Sequence, residues 1–267
     1  MKKTSLYLFA IIVSLSSCSS FHKLLKSSDN ELKYAKAKEF HAKGDFMRAA
    51  RLLEDIAPFF KGTPEAGNIV FLLADSYFQN RDYLTAINYF KSYNNTFPRG
   101  EHIMESRFML GYAYYLLSPD PRLDQNETYG AINAFNTYIE LFPHSERAPE
   151  ASRLAHEMFE KLAYKELLNA RLYFRLGNYM GNNYLSAIIV SQNALKKHTE
   201  TQYREEFMFL ILRSKYMQAV RSIASKRADR FRETVDEFYV YSSEFPNGRF
   251  IRDAERMFAE AKRHVAN

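Results

Sequence analysis

Tyr83-Leu-Thr-Ala86-Ile-Asn-Tyr-Phe90-Lys-Ser-Tyr93-Asn-Asn-Thr-Phe97-Pro98 sets Ala86, Phe90 and Tyr93 three and four residues apart, then stops at a proline. That spacing puts one small residue and two rings on a single helix face, and proline cannot continue the helix. The ending returns as Tyr138-Ile-Glu-Leu-Phe142-Pro143 and as Tyr241-Ser-Ser-Glu-Phe245-Pro246. An amphipathic stretch precedes each of the three, carrying Ala74 and Tyr77, then Gly111 and Tyr114, then Tyr216. Ala37, Phe40, Gly44, Phe46, Ala49, Leu53 and Ile56 follow the same plan, and Ala170, Tyr173, Ala187 and Ala194 follow it loosely. Each unit reads as a helical hairpin. Its small residues let two helices approach, and its rings fill the space between hairpins. No hairpin buries its apolar face alone, so the expected fold is all-α: a right-handed superhelical solenoid of about five hairpins with a C-terminal capping helix.

The repeat is irregular. Ala49 and Ala86 are 37 residues apart, Ala86 and Ala131 are 45 apart. The excess falls in the Pro-rich loop Ser118-Pro-Asp-Pro-Arg-Leu-Asp-Gln-Asn126. Residues 146–176 hold more helix than one repeat needs, which predicts an extra helix or one long one. Gly177-Asn-Tyr-Met-Gly-Asn-Asn-Tyr184 reads as a lengthened turn, 219–231 as an extension of the fifth hairpin, and 249–265 as the charged cap.

The N-terminus carries a different signal. Lys2 and Lys3 precede an apolar run, Leu6 to Leu15, which is too short to span a bilayer and suits the core of a signal peptide. Leu15-Ser16-Ser17-Cys18 then presents an apolar residue, two small residues and the chain's single cysteine. That order is similar to a bacterial lipobox, in which the thiol is alkylated with lipid and the leader is cut before the cysteine. The expected division is a leader over 1–17, a lipidated tether over 18–30, hairpins one to three over 31–145, and hairpins four and five with the extra helix and cap over 146–267. A mature chain with one cysteine forms no internal disulfide, so packing must hold it together.

Composition agrees with a packed helical protein: 46% apolar and 25% charged residues exclude a disordered chain, and 9 Gly with 8 Pro are few for an all-β one. Losing Lys2 and Lys3 leaves 35 basic and 31 acidic residues, a charge of +4, too small and too mixed for a nucleic-acid-binding surface. No phosphate loop, Gly-x-Ser-x-Gly elbow or His-Glu-x-x-His is present, and His156-Glu157 has no second histidine at the motif's spacing. Neither a cofactor nor a metal is expected, and no enzyme activity. Glu205-Glu206 reads as a solvated helix surface.

The lipobox, the five irregular repeats, the Tyr-x-x-x-Phe-Pro-x-Ser/Gly endings and the run Ala170-Arg-Leu-Tyr-Phe-Arg-Leu-Gly-Asn-Tyr179 together resemble the BamD family, tetratricopeptide lipoproteins of outer-membrane β-barrel assembly. The resemblance covers the mature chain and departs from the family at Lys197-His198-Thr199-Glu200, where a Tyr/Phe-Pro ending is usual. It implies a lipid-anchored, periplasm-facing outer-membrane scaffold that binds BamA through its C-terminal half and receives unfolded β-barrel precursors. Ser19, in place of the Asp that retains lipoproteins in the inner membrane, agrees. Another periplasmic tetratricopeptide lipoprotein, serving envelope maintenance or division, stays open on the repeats alone. A sugar-capturing lipoprotein is disfavoured by the absence of Trp.

Three sets of site residues follow. Cys18 takes the lipid. The first helix of each hairpin lines the inner surface of such stacks, so Tyr34, His41, Phe71, Phe78, Phe108, Tyr112 and Tyr115, beside the core-facing positions, are expected to line a groove for extended precursors. A buried packing role is the rival for every one of these rings. Arg213, Arg221, Arg227, Arg230 and Arg232 are expected at the BamA contact, since basic clusters steer encounter with acidic surfaces.

Overall fold

A computed structural model describes residues 20–265. The expected leader and Cys18 lie outside the described residues. Every regular element among the described residues is helical: α1 (Asn30–Ala42), α2 (Phe46–Ile56), α3 (Ala66–Gln79), α4 (Tyr83–Thr96), α5 (Ile103–Leu117), α6 (Asn126–Leu141), α7 (Ala148–Leu176), α8 (Asn183–Lys197), α9 (Arg204–Val220), α10 (Ala224–Glu244) and α11 (Ile251–Val265). The excess helix at 146–176 is one 29-residue element, α7. The chain forms two compact units. The first holds α1 to α6 and α7 up to Ala155, and the second holds residues 119–125 and everything from His156 onward.

In the first unit each helix packs on the next, α1 through α6, as stacked hairpins do. Residues 20–25, inside the stretch read as a tether, form a helical turn whose Phe21, Leu24 and Leu25 pack on the core of α1, α2 and α3. The turns of the first two hairpins share one device. Gly44 at φ 79° and Arg81 at φ 64° turn the chain, and the next residue, Asp45 or Asp82, caps the following helix by accepting from the backbone N–H of Arg48 or Thr85. In the second unit α9 packs on α8, α10 and α11, and the end of α7 joins the core through Leu167 and Ala170. The 119–125 loop is held there by Gln125 Nε2, which donates to the carbonyls of Asp120, Leu123 and Asp124, and by Lys165 Nζ on Leu123 O at 2.6 Å.

The recurring ending is a helix stop with a buried strut. Tyr93, Tyr138 and Tyr241 are at most 1% exposed. Their hydroxyls fasten the next connection: Tyr93 accepts from His102 N at 3.0 Å, Tyr138 donates to Ser145 Oγ at 2.9 Å, and Tyr241 donates to Glu205 Oε1 at 2.8 Å. A Cβ on Gly100 would lie 2.5 Å from the Tyr93 hydroxyl, and one on Gly248 would meet that of Tyr241 at 3.0 Å. Glycine at the end of the motif makes room for the strut.

The fourth hairpin lacks the motif yet keeps its geometry. His198 caps α8 at φ −122°, ψ 67°, beside φ −123°, ψ 59° for Phe97 and φ −126°, ψ 63° for Phe245. Its N–H donates to Ala194 O at 2.8 Å as Phe97 N does to Tyr93 O. The imidazole is fully buried, edge-on to Phe159 at 4.7 Å, and neither ring nitrogen has a hydrogen-bond partner. Burial holds its pKa below the ordinary value, and Lys197 pushes the same way against Glu166 and Glu160. An unfolded histidine takes up a proton near pH 6.5. Below that pH the unfolded chain binds a proton that the folded chain refuses, so stability falls as the medium is acidified. His198→Phe, which installs the residue type of the other repeats, is expected to shrink the drop in urea midpoint between pH 7.5 and 5.5. A variant with the full wild-type drop would refute this.

Candidate functional site

The seven positions expected to line the groove fall into a pattern set by helix geometry. Tyr34, Phe71 and Phe108 each stand three residues before the small residues Ala37, Ala74 and Gly111, and so share their core-facing side. Tyr34 is 6% exposed, with its hydroxyl accepting from Asn68 Nδ2 at 2.8 Å, and Phe108 is 0% exposed between Phe135 and Tyr138. Phe71 packs against Phe90 and Tyr93 and stacks on His102 at 4.2 Å. These rings hold the hairpins together, and Tyr34 and Phe108 offer no surface to a ligand.

His41, Phe78 and Tyr115 stand four residues after the same small residues and lie half-buried at the margin of the core. Phe78 lies against Tyr112 at 5.9 Å, and Tyr112 stacks on Tyr115 at 5.9 Å with ring planes 10° apart. The structure therefore brings Phe78, Tyr112 and Tyr115 into one continuous stripe. His41 is separate, bonded to Asp75 Oδ2 at 2.6 Å.

The five arginines do not form one cluster. Arg227 and Arg230 are tied to the α9–α10 turn, where Arg227 donates to Ser222 O at 3.1 Å and Arg230 to Ser222 Oγ at 2.6 Å. Arg232 pairs with Asp229 on its own helix. Arg221 follows α9 and is exposed, eight residues or about 12 Å along the helix from Arg213.

Arg213 has a different setting. It lines a cavity of about 290 Å³ in the second unit together with Arg171, Arg175, Phe174, Phe209 and Phe250. The Arg213 guanidinium lies 4.4 Å from the centre of the Phe174 ring, and Phe209 stacks on Phe250 at 4.5 Å. Arg171 is paired with Glu206 across the cavity. Arg171 and Arg175 also border a neighbouring cavity of about 510 Å³ with Arg122, Tyr164 and Lys165. Cations over an aromatic floor in a partly closed space suit a carboxylate-bearing, partly apolar ligand surface. Arg171 and Arg175 both stand in the run Ala170–Tyr179, outside the three sets of expected site residues. Their signal was the i, i+4 spacing of two arginines around Phe174.

Glu205 and Glu206 are not free in solvent. Glu205 accepts from Tyr241 and from Phe250 N, and Glu206 holds Arg171. Among the described residues no His, Cys, Asp and Glu side chains gather into a metal-holding group, and no helix is long and apolar enough to cross a membrane.

Residues 26–216 match the family described as YfiO, outer membrane lipoprotein. The chain is similar to the outer membrane protein assembly factor BamD of Neisseria meningitidis serogroup B, with 23% identity over 84% of this chain and 82% of that protein. It is likewise similar to BamD of Rickettsia prowazekii, with 23% identity over 73% of this chain and 70% of that one. Among solved structures it is similar to the TPR2AB domain of yeast Sti1 in complex with pHSP90, at 15% identity and a TM-score of 0.40, covering 88% of this chain and 99% of the other.

Proposed function

The chain belongs to the YfiO family of outer membrane lipoproteins, and from that premise we propose that it is a non-enzymatic scaffold for assembling β-barrel proteins into the outer membrane. The observation that carries the reading is the family match across 26–216, which spans most of the first unit and reaches to α9 of the second. Cys18 is its lipid anchor. One acyl chain alone binds a membrane only marginally, so the several chains of a bacterial lipoprotein are what hold it there. The chain faces the periplasm from the outer membrane.

The two units divide the work in this reading. In the first, the stripe of Phe78, Tyr112 and Tyr115 receives extended precursor segments. Barrel strands alternate apolar and polar residues with aromatics at their ends, and rigid rings grip such segments at low entropy cost. In the second, the cavity of Arg171, Arg175 and Arg213 receives an acidic patch of BamA, and exposed Arg221, just past the end of α9, adds positive charge farther along. Docking of this kind uses binding energy alone and needs no nucleotide.

The test is a mild-detergent pull-down of the tagged full chain with mass spectrometry, paired with fractionation of a Cys18→Ala variant. BamA is expected in the wild-type eluate, and the variant is expected to keep its uncut leader and to leave the outer-membrane fraction. Recovery of division or wall proteins without BamA would overturn the assembly role. A membrane-bound, normally cleaved Cys18→Ala would overturn the anchor.

A further inference from the structure

The first unit holds a second cleft, apart from the aromatic stripe. Its volume is about 310 Å³, and α4, α5 and α6 supply its walls. Lys91 and Asn94 come from α4, Arg107 and Tyr114 from α5, Asn133 and Thr137 from α6. Asn94 is 5% exposed, and neither its Oδ1 nor its Nδ2 has a hydrogen-bond partner. Native proteins satisfy nearly all buried polar groups, and an orphaned donor and acceptor on one side chain ask for an explanation. The rim carries a second signal. Neither Lys91 nor Arg107 has an acidic partner among the described residues, and the Lys91 ammonium rests 5.2 Å from the centre of the Tyr114 ring.

We propose that this cleft binds an extended peptide segment with an acidic side chain, its main-chain amide paired with Asn94 and its carboxylate held by Lys91 and Arg107. An asparagine side chain presents one donor and one acceptor side by side, the complement of one peptide unit. Two cations at the rim add a charge-assisted bond to a carboxylate. A glycan fits less well, because the Tyr114 face that would stack on a sugar ring already carries Lys91. The amide atoms are covered in the free protein, so side chains over Asn94 move when the segment enters. Gly130 keeps the cleft open: a Cβ there would meet the Tyr114 ring at 2.7 Å and displace it.

The probe is a set of acetylated, amidated nonapeptide pools with a fixed central Asp, measured against matched pools with a central Asn, on the full chain in mild detergent. Saturable binding is expected, at least tenfold tighter for the Asp pools. Asn94→Leu has no donor or acceptor to satisfy, so it should keep or raise the thermal midpoint while weakening binding tenfold or more. Lys91→Ala with Arg107→Ala, both at the rim, should erase the preference for Asp. Gly130→Ala should weaken binding independently. Absence of saturable binding, binding unchanged by the rim double variant, or tighter binding of an N-acetylated chitooligosaccharide titrated in parallel would each overturn the proposal. The pull-down of BamA is expected to be unaffected by these substitutions, which separates this cleft from the assembly role.

Discussion

Phe108→Ala is expected to destabilise the first unit by about 3–5 kcal/mol, the range for truncating a fully buried ring. Phe108 is 0% exposed, and its ring meets Phe135 and Tyr138 edge-on at 5.7 and 5.5 Å. The Arg147 guanidinium lies 3.4 Å from its centre, so a cation–π contact is lost as well. Little can collapse into the space. Gly111 already lies so close to Phe135 that a Cβ there would sit 2.7 Å from the ring. Against a typical domain stability of about 5–15 kcal/mol, that loss is a large share of the total. Phe78→Ala with Tyr115→Ala removes half-buried rings and should cost clearly less per ring, about 1–2 kcal/mol by the area it returns to water. The same pair should weaken binding of a C-terminal β-strand peptide. Urea unfolding monitored by circular dichroism decides: a loss below about 1 kcal/mol for Phe108→Ala, at unchanged slope, would remove Phe108 from the core. Unchanged peptide binding in a folded Phe78→Ala, Tyr115→Ala variant would remove the groove.

Much of this division was legible in residue spacing. The small residue, the rings and the proline of each ending predicted hairpins, and the endings do stop helices at Phe97, Phe142 and Phe245. Asp45 and Asp82 after a turn residue are cap signals that local physics enforces. Helix boundaries at 146–176 were open between one element and two, because the stretch is longer than one hairpin helix needs. Beyond Pro149, which sits in the first turn of α7, nothing in it breaks a helix, and it forms one. Three things needed the third dimension. The fourth ending was invisible because a backbone stop depends on φ and ψ, which His198 adopts as readily as phenylalanine. The groove positions separated only once the offset from each small residue was known to decide which way a ring turns. The arginines were grouped by proximity along the chain, whereas the cavity collects Arg213 with Arg171 and Arg175, about 40 residues earlier. Asn94 gave no signal at all: a surface asparagine and an orphaned buried one look the same in a sequence.

Arg175→Glu together with Arg213→Glu is expected to weaken the proposed contact with BamA about a hundredfold, roughly 3 kcal/mol, and to flatten its dependence on salt. Both side chains are exposed at the cavity, so folding should tolerate the change, while Arg171 stays paired with Glu206 and keeps the wall in place. Reversal replaces attraction by repulsion toward an acidic surface, which is why its effect exceeds that of neutralisation. It also removes the guanidinium from the Phe174 face, opening an apolar floor that no longer carries a cation. Arg227→Glu with Arg232→Glu is the matched control of equal charge change. Those two residues are tied to Ser222 and Asp229 and lie outside the cavity, so it should lower affinity only a few-fold through long-range electrostatics. The comparison therefore separates a local contact from net charge. Equal losses in the two variants would mean that only the overall field matters, and an unchanged affinity in Arg175→Glu, Arg213→Glu would take the cavity out of the interface.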